Sequence, residues 1–381
     1  MTTAIDFDLE TDRIHSDSAK WQRYGEDIIP LWVADSDFRS APAIIEALKD
    51  RVDHGVFGYA QPSGQLAELI VERMQQLYQW QIEPEWLLWF PGVVSAMNVI
   101  VRSLSTEQEA ILYPEVIYPY IAKAAQNSGR PYRSVALSAL DERPVMDLER
   151  LSRESTPQDR LMILCNPYNP GGTISSKSEL QALADYAEKN DLLICSDEIH
   201  CDLLLEHGKE HIPIAALNKE IEARTVTLMA PSKTFNIAGL GCSFAIVPDQ
   251  DFRAAINQNR AGIIPHVNLM GFTAAMAAYR DGDEWNHRQC DYLRGNRDFL
   301  VEQINAIKGL SMSSPEATYL AWMNVSELKL DNPTQFFESA GVGMSPGTDF
   351  GSKDHMRLNF ACTRSRLEEA IRRIKLAVES G

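Results

Sequence analysis

The 381-residue chain reads as an α/β protein, with a large domain on a mostly parallel sheet and a smaller α+β domain, and three observations predict this. Short apolar runs alternate with amphipathic stretches from about residue 65 to 280, the pattern of strand–helix–strand units. Residues able to do chemistry cluster just after those runs, at the edge where open α/β sheets hold their ligands. After about residue 285 the pattern changes to a long helix, a strand, a helix, a strand and a final amphipathic helix.

The strands expected in the large domain are AILY from 110, LMILC from 161, LLIC from 192, TVTLM from 225 and SFAIV from 243. Helical patterns such as KSELQALADYAE separate them. GDEW near 285 introduces the long helix, and YLAWM and MRLNF are the later strands. This divides the chain into a large domain at 46–284 and a small one that includes 285–381. No internal repeat, low-complexity tract or flexible linker is evident.

Composition fits a soluble enzyme and excludes other classes. At 45% hydrophobic residues the chain can bury a large core. A formal net charge of −17 with no basic stripe argues against nucleic acid or an anionic membrane surface as partner. Six cysteines show no CxxC pairing, and Cys165, Cys195 and Cys242 lie in or beside apolar runs, where a free thiol behaves as a small hydrophobe. A reduced cytoplasm is the expected location. The acidic start MTTAIDFDLE lacks a signal-peptide core, and no apolar run approaches the roughly 18 residues of a membrane span. No metal site is expected. His207 and His211 have helix-like spacing, but Gly208 and Pro213 make their stretch a poor helix, so a solvated loop is expected there.

Three motifs carry the chemistry. Lys233, in TLMAPSKTFNIAGL, stands on a short turn directly after an apolar strand and before a small, glycine-bearing run. An amine that forms an imine needs rigid, partly dry surroundings of that kind, although an ordinary lysine at a strand end would look the same. NPYNPGG, residues 166–172, follows another strand; its prolines and glycines restrict the backbone while Asn166 and Asn169 present amides. SDEIHCDL, residues 196–203, puts Asp197 at the end of a third strand. A buried carboxylate there costs several kcal/mol unless a cation pairs with it. Lysine, carboxylate and asparagine on the strand ends of one sheet suit pyridoxal phosphate, whose ring nitrogen the carboxylate keeps protonated so that the ring accepts electrons.

The ordered set NPYNPGG, SDEIH and SerLys closely resembles the fold type I, aspartate aminotransferase-like (class I/II) family of pyridoxal phosphate enzymes. LWVADSDF at 31–38, HGVFGY at 54–59, APSKTFNIAGL at 230–240 and MRLNFAC at 356–362 are similar to its cystathionine β-lyase, or carbon–sulfur β-lyase, branch. The resemblance covers nearly the whole chain and implies that residues 1–45 join the small domain. It also implies a homodimer, with Tyr59 reaching the neighbouring subunit's phosphate and substrate. A core or turn aromatic is the other reading of Tyr59.

The cofactor's phosphate needs backbone amides, and PGVVSAMNVI at 91–100 offers Gly92, Val93 and Val94 at the start of a helix, where the dipole favours an anion. A glycine turn that merely opens a core helix would look alike. Ser232 adds a hydroxyl. Many aminotransferases have a serine where this chain has Ala230 and an arginine where it has Gly241, so part of the phosphate's hold is unexplained. Tyr118 is the candidate to stack on the pyridine ring, with Tyr120 as rival. Asn169 is implied at the 3′-oxygen and beside the substrate, and His200 stands where many relatives carry a tyrosine, as a cofactor contact or a structural histidine. Arg357, flanked by Met356, Leu358 and Phe360, is expected to clamp the substrate α-carboxylate with its planar fork. Trp32, Val33 and Ala34 are expected to close over the substrate.

The resemblance implies α,β-elimination from L-cystathionine or a related cysteine S-conjugate. Lys233 takes the Cα proton, Asp197 holds the ring nitrogen protonated, and a thiolate leaves Cβ, with pyruvate and ammonia as the other products. Two rivals stand beside it. An aminotransferase shares the first half-reaction, and a cofactor-binding regulator would act through protein partners. TISS at 173–176, where relatives commonly carry an ArgValTrp-like stretch, marks a departure bearing on side-chain specificity.

Overall fold

The computed structural model describes residues 5–138 and 143–380, so the first four residues of the acidic start lie outside it. Seven strands form the large sheet: β1 Leu87–Phe90, β2 Ala110–Pro114, β3 Tyr132–Val135, β4 Asp159–Cys165, β5 Leu193–Asp197, β6 Thr225–Met229 and β7 Ser243–Ile246. Their order across the sheet is β1-β7-β6-β5-β4-β2-β3. The run from β6 to β3 is parallel, while β7 is antiparallel to both β6 and β1. The five expected strands all form. β1 and β3 were not among them, because LLWF and YRSV are only four residues long, too short for a periodicity to separate them from loops.

The sheet is buried on both faces, as parallel strands covered by helices must be. Helix α1, Val93–Ser103, covers one face with Val93, Ala96, Met97 and Ile100, packed on Ile111, Leu161, Ile163 and Cys195. Helix α2, Lys177–Lys189, covers the other with Leu180, Leu183 and Ala187, packed on Leu112, Met162, Leu164 and Ile194. Alternate residues of one strand thus enter opposite cores, which is the period of two at work. Each fully buried side chain of this size is worth about 1.5–3 kcal/mol. A capping box begins α2: the Ser176 hydroxyl accepts from Glu179 N, and the Glu179 carboxylate accepts from Ser176 N at 2.7 Å.

A second, antiparallel sheet comprises β8 Ser311–Met312, β9 Leu320–Asn324, β10 Ser345–Pro346 and β11 His355–Asn359, in the order β8-β9-β11-β10. Its register sets Arg357 between Trp322 on β9 and Ser345 on β10. The long helix α3, Asp283–Asn305, and the terminal α4, Arg364–Ser380, share its core through Leu293, Ile304, Leu367 and Ile374. Near the N-terminus, Ile29–Pro30 pairs in parallel with Val342–Gly343, and Asn359 N donates to Leu31 O at 2.8 Å. These bonds lead residues 31–38 between the two sheets. Among the described residues no helix is long and apolar enough to cross a membrane.

One glycine joins the 166–172 loop to the segment before β9. Gly172 has φ +72°, and a Cβ there would lie 2.7 Å from Pro315 Cβ and 2.8 Å from Ala317 O. Gly172→Ala is therefore expected to destabilise the protein by about 2–4 kcal/mol, from backbone strain plus overpacking. A lower urea midpoint with unchanged slope would show it, and an unmoved midpoint would contradict it.

Candidate active site

Four chain segments deliver the site, each from the carboxyl end of a strand or from across the sheet boundary. β4 ends in Cys165 and hands over to Asn166–Asn169, β5 ends in Asp197, and β6 leads through Ala230 and Ser232 to Lys233. From the second sheet comes Arg357. These residues surround one cavity of about 230 Å³, which Gly92, Val93, Val94, Tyr118, His200, Val33 and Ala34 also line. Nine of the expected site residues in the chain's own cavity, Gly92, Val93, Val94, Tyr118, Asn169, Asp197, His200, Ser232 and Lys233, are thus brought together with the expected clamp, Arg357.

Tyr59 stands apart, fully exposed on the segment after helix Pro42–His54. It forms no part of that cavity within its own chain. Between the rival tyrosines the geometry chooses. Tyr118 lines the cavity, while Tyr120, with its ring 5.4 Å away, is 47% exposed and carries Lys123 over its face.

The electrostatics follow from burial. Lys233 Nζ donates to Ala34 O at 2.7 Å, and burial lowers its pKa to about 8, against the opposing pull of Asp35. Asp197 accepts from Ile199 N at 3.2 Å, and burial raises its pKa to about 7, with Glu198 adding to the rise. His200 is buried, and burial followed by the charges of Lys233 and Arg357 lowers its pKa to about 3, so it is a neutral ring. Arg357 donates through Nη1 to Asn169 Oδ1 at 2.9 Å and through Nη2 to Trp32 O at 2.9 Å, with Phe350 4.6 Å from its guanidinium carbon. Burial lowers its pKa to about 10.

Two buried polar atoms of the lining residues have no protein partner: His200 Nδ1 and Arg357 Nε. With a carboxylate that lacks a cationic hydrogen-bond partner, they describe a site built for a polar, partly cationic guest. Pyridoxal phosphate fits it. Asp197 suits the ring nitrogen, Tyr118 a ring face, Asn169 and His200 the phenolic oxygen, and Lys233 the aldehyde. The phosphate has the free end of α1, where Gly92 is extended and no side chain caps the first amides. Ala230 and Gly241 line the same cavity, and among the described lining residues the only lysine or arginine cations are Lys233 and Arg357.

One expectation is overturned. His211 does not lie in a solvated loop: it is buried, and its Nε2 shares a 2.7 Å hydrogen bond with Glu198 Oε2, whose other oxygen accepts from Ser196 Oγ at 2.8 Å. Glu198 follows Asp197 on a strand end and so points to the opposite face, where a buried carboxylate demands donors. His207 is exposed. All six cysteines are buried and unpaired. Ser345, whose hydroxyl shares the Trp32 carbonyl with Arg357, escaped the sequence reading because only the register of β10 brings it there.

The sequence profile of the family "Aminotransferase class I and II" matches residues 26–374. The cystathionine β-lyase PatB of Bacillus subtilis (strain 168) is 34% identical, over 98% of this chain and 100% of its own. Among solved structures, that of OvoB superposes with a TM-score of 0.96 at 47% identity, over 99% of this chain and 100% of the other. Cystalysin of Treponema denticola, a structure containing pyridoxal 5′-phosphate, superposes with a TM-score of 0.94 at 28% identity, over 99% of this chain and 100% of the other.

Proposed function

This chain belongs to the aminotransferase class I and II family, and on that premise we propose that it is a pyridoxal phosphate-dependent carbon–sulfur β-lyase, cleaving L-cystathionine or a related cysteine S-conjugate to a thiol, pyruvate and ammonia. The observation that carries the reading is one cavity holding both a low-pKa lysine and a buried guanidinium already fixed on Asn169. An α-amino acid is the ligand that needs both at once. The choice of elimination is supported by the B. subtilis relative, whose name states that chemistry.

Pyridoxal phosphate supplies the electron sink that makes a substrate Cα proton removable. Everything else is the work of this chain's residues. Arg357 takes the α-carboxylate in its fork, and the fork's second nitrogen is held by Trp32 O so that it cannot swing away. Lys233, with a pKa near 8, takes the Cα proton as a general base at neutral to mildly alkaline pH. Asp197, whose carboxylate has no cationic hydrogen-bond partner of its own, would keep the pyridine nitrogen protonated. A thiol leaving group, with its pKa near 8.5, departs from Cβ far more readily than hydroxide would. Residues 32–34 exclude water from the side of the second sheet.

The active unit proposed is a homodimer in the cytoplasm. Val56, Phe57 and Tyr59 form an exposed apolar run, a surface that a second copy would cover while bringing Tyr59 to the neighbouring phosphate and substrate.

Arg357→Lys replaces a planar fork by a point charge and is expected to raise KM for the amino acid about 10–100-fold, while the bound cofactor's spectrum stays unchanged. An unchanged KM would remove Arg357 from the clamp. The test of the function itself is to mix the cofactor-loaded protein with L-cystathionine and no keto acid. Multiple-turnover release of pyruvate and free thiol in equal amounts is expected. A single equivalent of keto acid with no thiol would make the protein an aminotransferase instead.

A further inference from the structure

Thr318 is fully buried, β-branched and held at φ +68°. The left-handed region costs a non-glycine residue about 1–3 kcal/mol and persists only where the surroundings over-determine it. Among the described residues the other non-glycine residues with positive φ are Gln79, Asp191, Asn236 and Lys329, none of them β-branched. Here the kink is clamped on both sides: Thr318 N donates to Leu203 O at 2.8 Å, and Thr318 Oγ1 accepts from Leu320 N at 3.1 Å.

The next residue shows what the kink achieves. Tyr319 is 1% exposed, with its ring edge-on to His200 at 6.2 Å between centroids. Its hydroxyl donates, over a long 3.3 Å, to Ala34 O. That oxygen also accepts from Lys233 Nζ at 2.7 Å. One backbone carbonyl therefore joins the amine to a phenol behind the cavity wall. Burial pushes the phenol's pKa well up, so it stays protonated and can only donate to that carbonyl.

We propose that Tyr319 is a positioning residue for Lys233, acting through the Ala34 carbonyl. An ammonium is a stronger donor than an amine, so an acceptor shared with a second donor stabilises the ammonium less. Tyr319 thus favours the neutral, nucleophilic form of Lys233 and fixes the direction from which its amine is held. The inference rests on Lys233 being the residue that binds pyridoxal phosphate covalently.

Tyr319→Phe removes the oxygen and keeps the ring. Apoprotein would be mixed with pyridoxal phosphate across pH, and the rate of covalent attachment followed by absorbance. The midpoint of that rate is expected to move up by roughly half to one pH unit, the worth of one net hydrogen bond. With L-cystathionine, kcat is expected to fall about tenfold and KM to stay within about twofold, because the contact matters once the amine is free. A fluorinated tyrosine at 319, a stronger donor of nearly the same shape, is expected to move the midpoint down, and it serves if the phenylalanine variant fails to fold. Midpoints unmoved in both variants overturn the proposal whatever happens to stability, since a purely structural phenol alters melting without shifting a titration. Wild-type protein that does not attach the cofactor overturns the underlying reading of Lys233 instead.

Discussion

Replacing Lys233 by alanine is expected to lower turnover by about 10⁴-fold or more. The upper end of a general base's usual contribution sets that scale, and the covalent anchor is lost with it. The effect is large because nothing nearby can substitute. His200 is a neutral ring with its pKa lowered to about 3, Arg357 is committed to Asn169 and Trp32, and the cavity holds no further amine among its described residues. Borohydride reduction followed by mass spectrometry gives the second readout. The wild type should carry the cofactor on residue 233 and the variant should not. Turnover near the wild-type rate in Lys233→Ala would refute the assignment of both roles.

Asp197→Ala is expected to weaken cofactor binding by about 10²–10⁴-fold, since removing one member of a buried ion pair costs about 3–5 kcal/mol. A pH signature accompanies it. Burial raises Asp197 to about 7 in the cofactor-free protein, so the folded state holds a proton that the unfolded chain has already released. Stability from this group is fully present below the ordinary carboxylate range and is lost as pH rises through about 7. The pyridine nitrogen's positive charge removes that penalty, so the gain in melting temperature on adding pyridoxal phosphate should be larger at pH 8 than at pH 5. Lys233 has its opposite slope above its own pKa of about 8, outside this window. Asp197→Asn cannot titrate and should flatten the difference. An equal gain at both pH values in the wild type would show that Asp197 does not face the ring nitrogen.

Much of the site was legible because its residues sit at local landmarks. Lys233, Asp197 and Asn169 each follow a run of apolar residues that could only be a buried strand, and chain order alone places strand ends on one edge of a parallel sheet. The same logic found Arg357, since a charge between Met356 and Leu358 needs a buried partner. A loop offers no such landmark. His211 looked solvated because Gly208 and Pro213 forbid a helix, but a loop can still be packed inward when a buried carboxylate such as Glu198 requires a donor.

Elements with local causes can be read from the residues alone: the five expected strands of the large sheet, the helices that cover them, and the chemistry carried on the strand ends. Contacts between remote partners depend on how the chain folds back on itself. Lys233 and Ala34 are 199 positions apart, and Arg357 and Trp32 are 325 apart. Hydrophobic periodicity specifies which face of an element is buried, but it carries no information about which backbone carbonyl will meet that face from another part of the chain. Strand pairing supplies it. The short parallel ladder at Ile29–Pro30 and the β9–β11–β10 register bring residues 32–34, Tyr319 and Ser345 to the amine and the guanidinium.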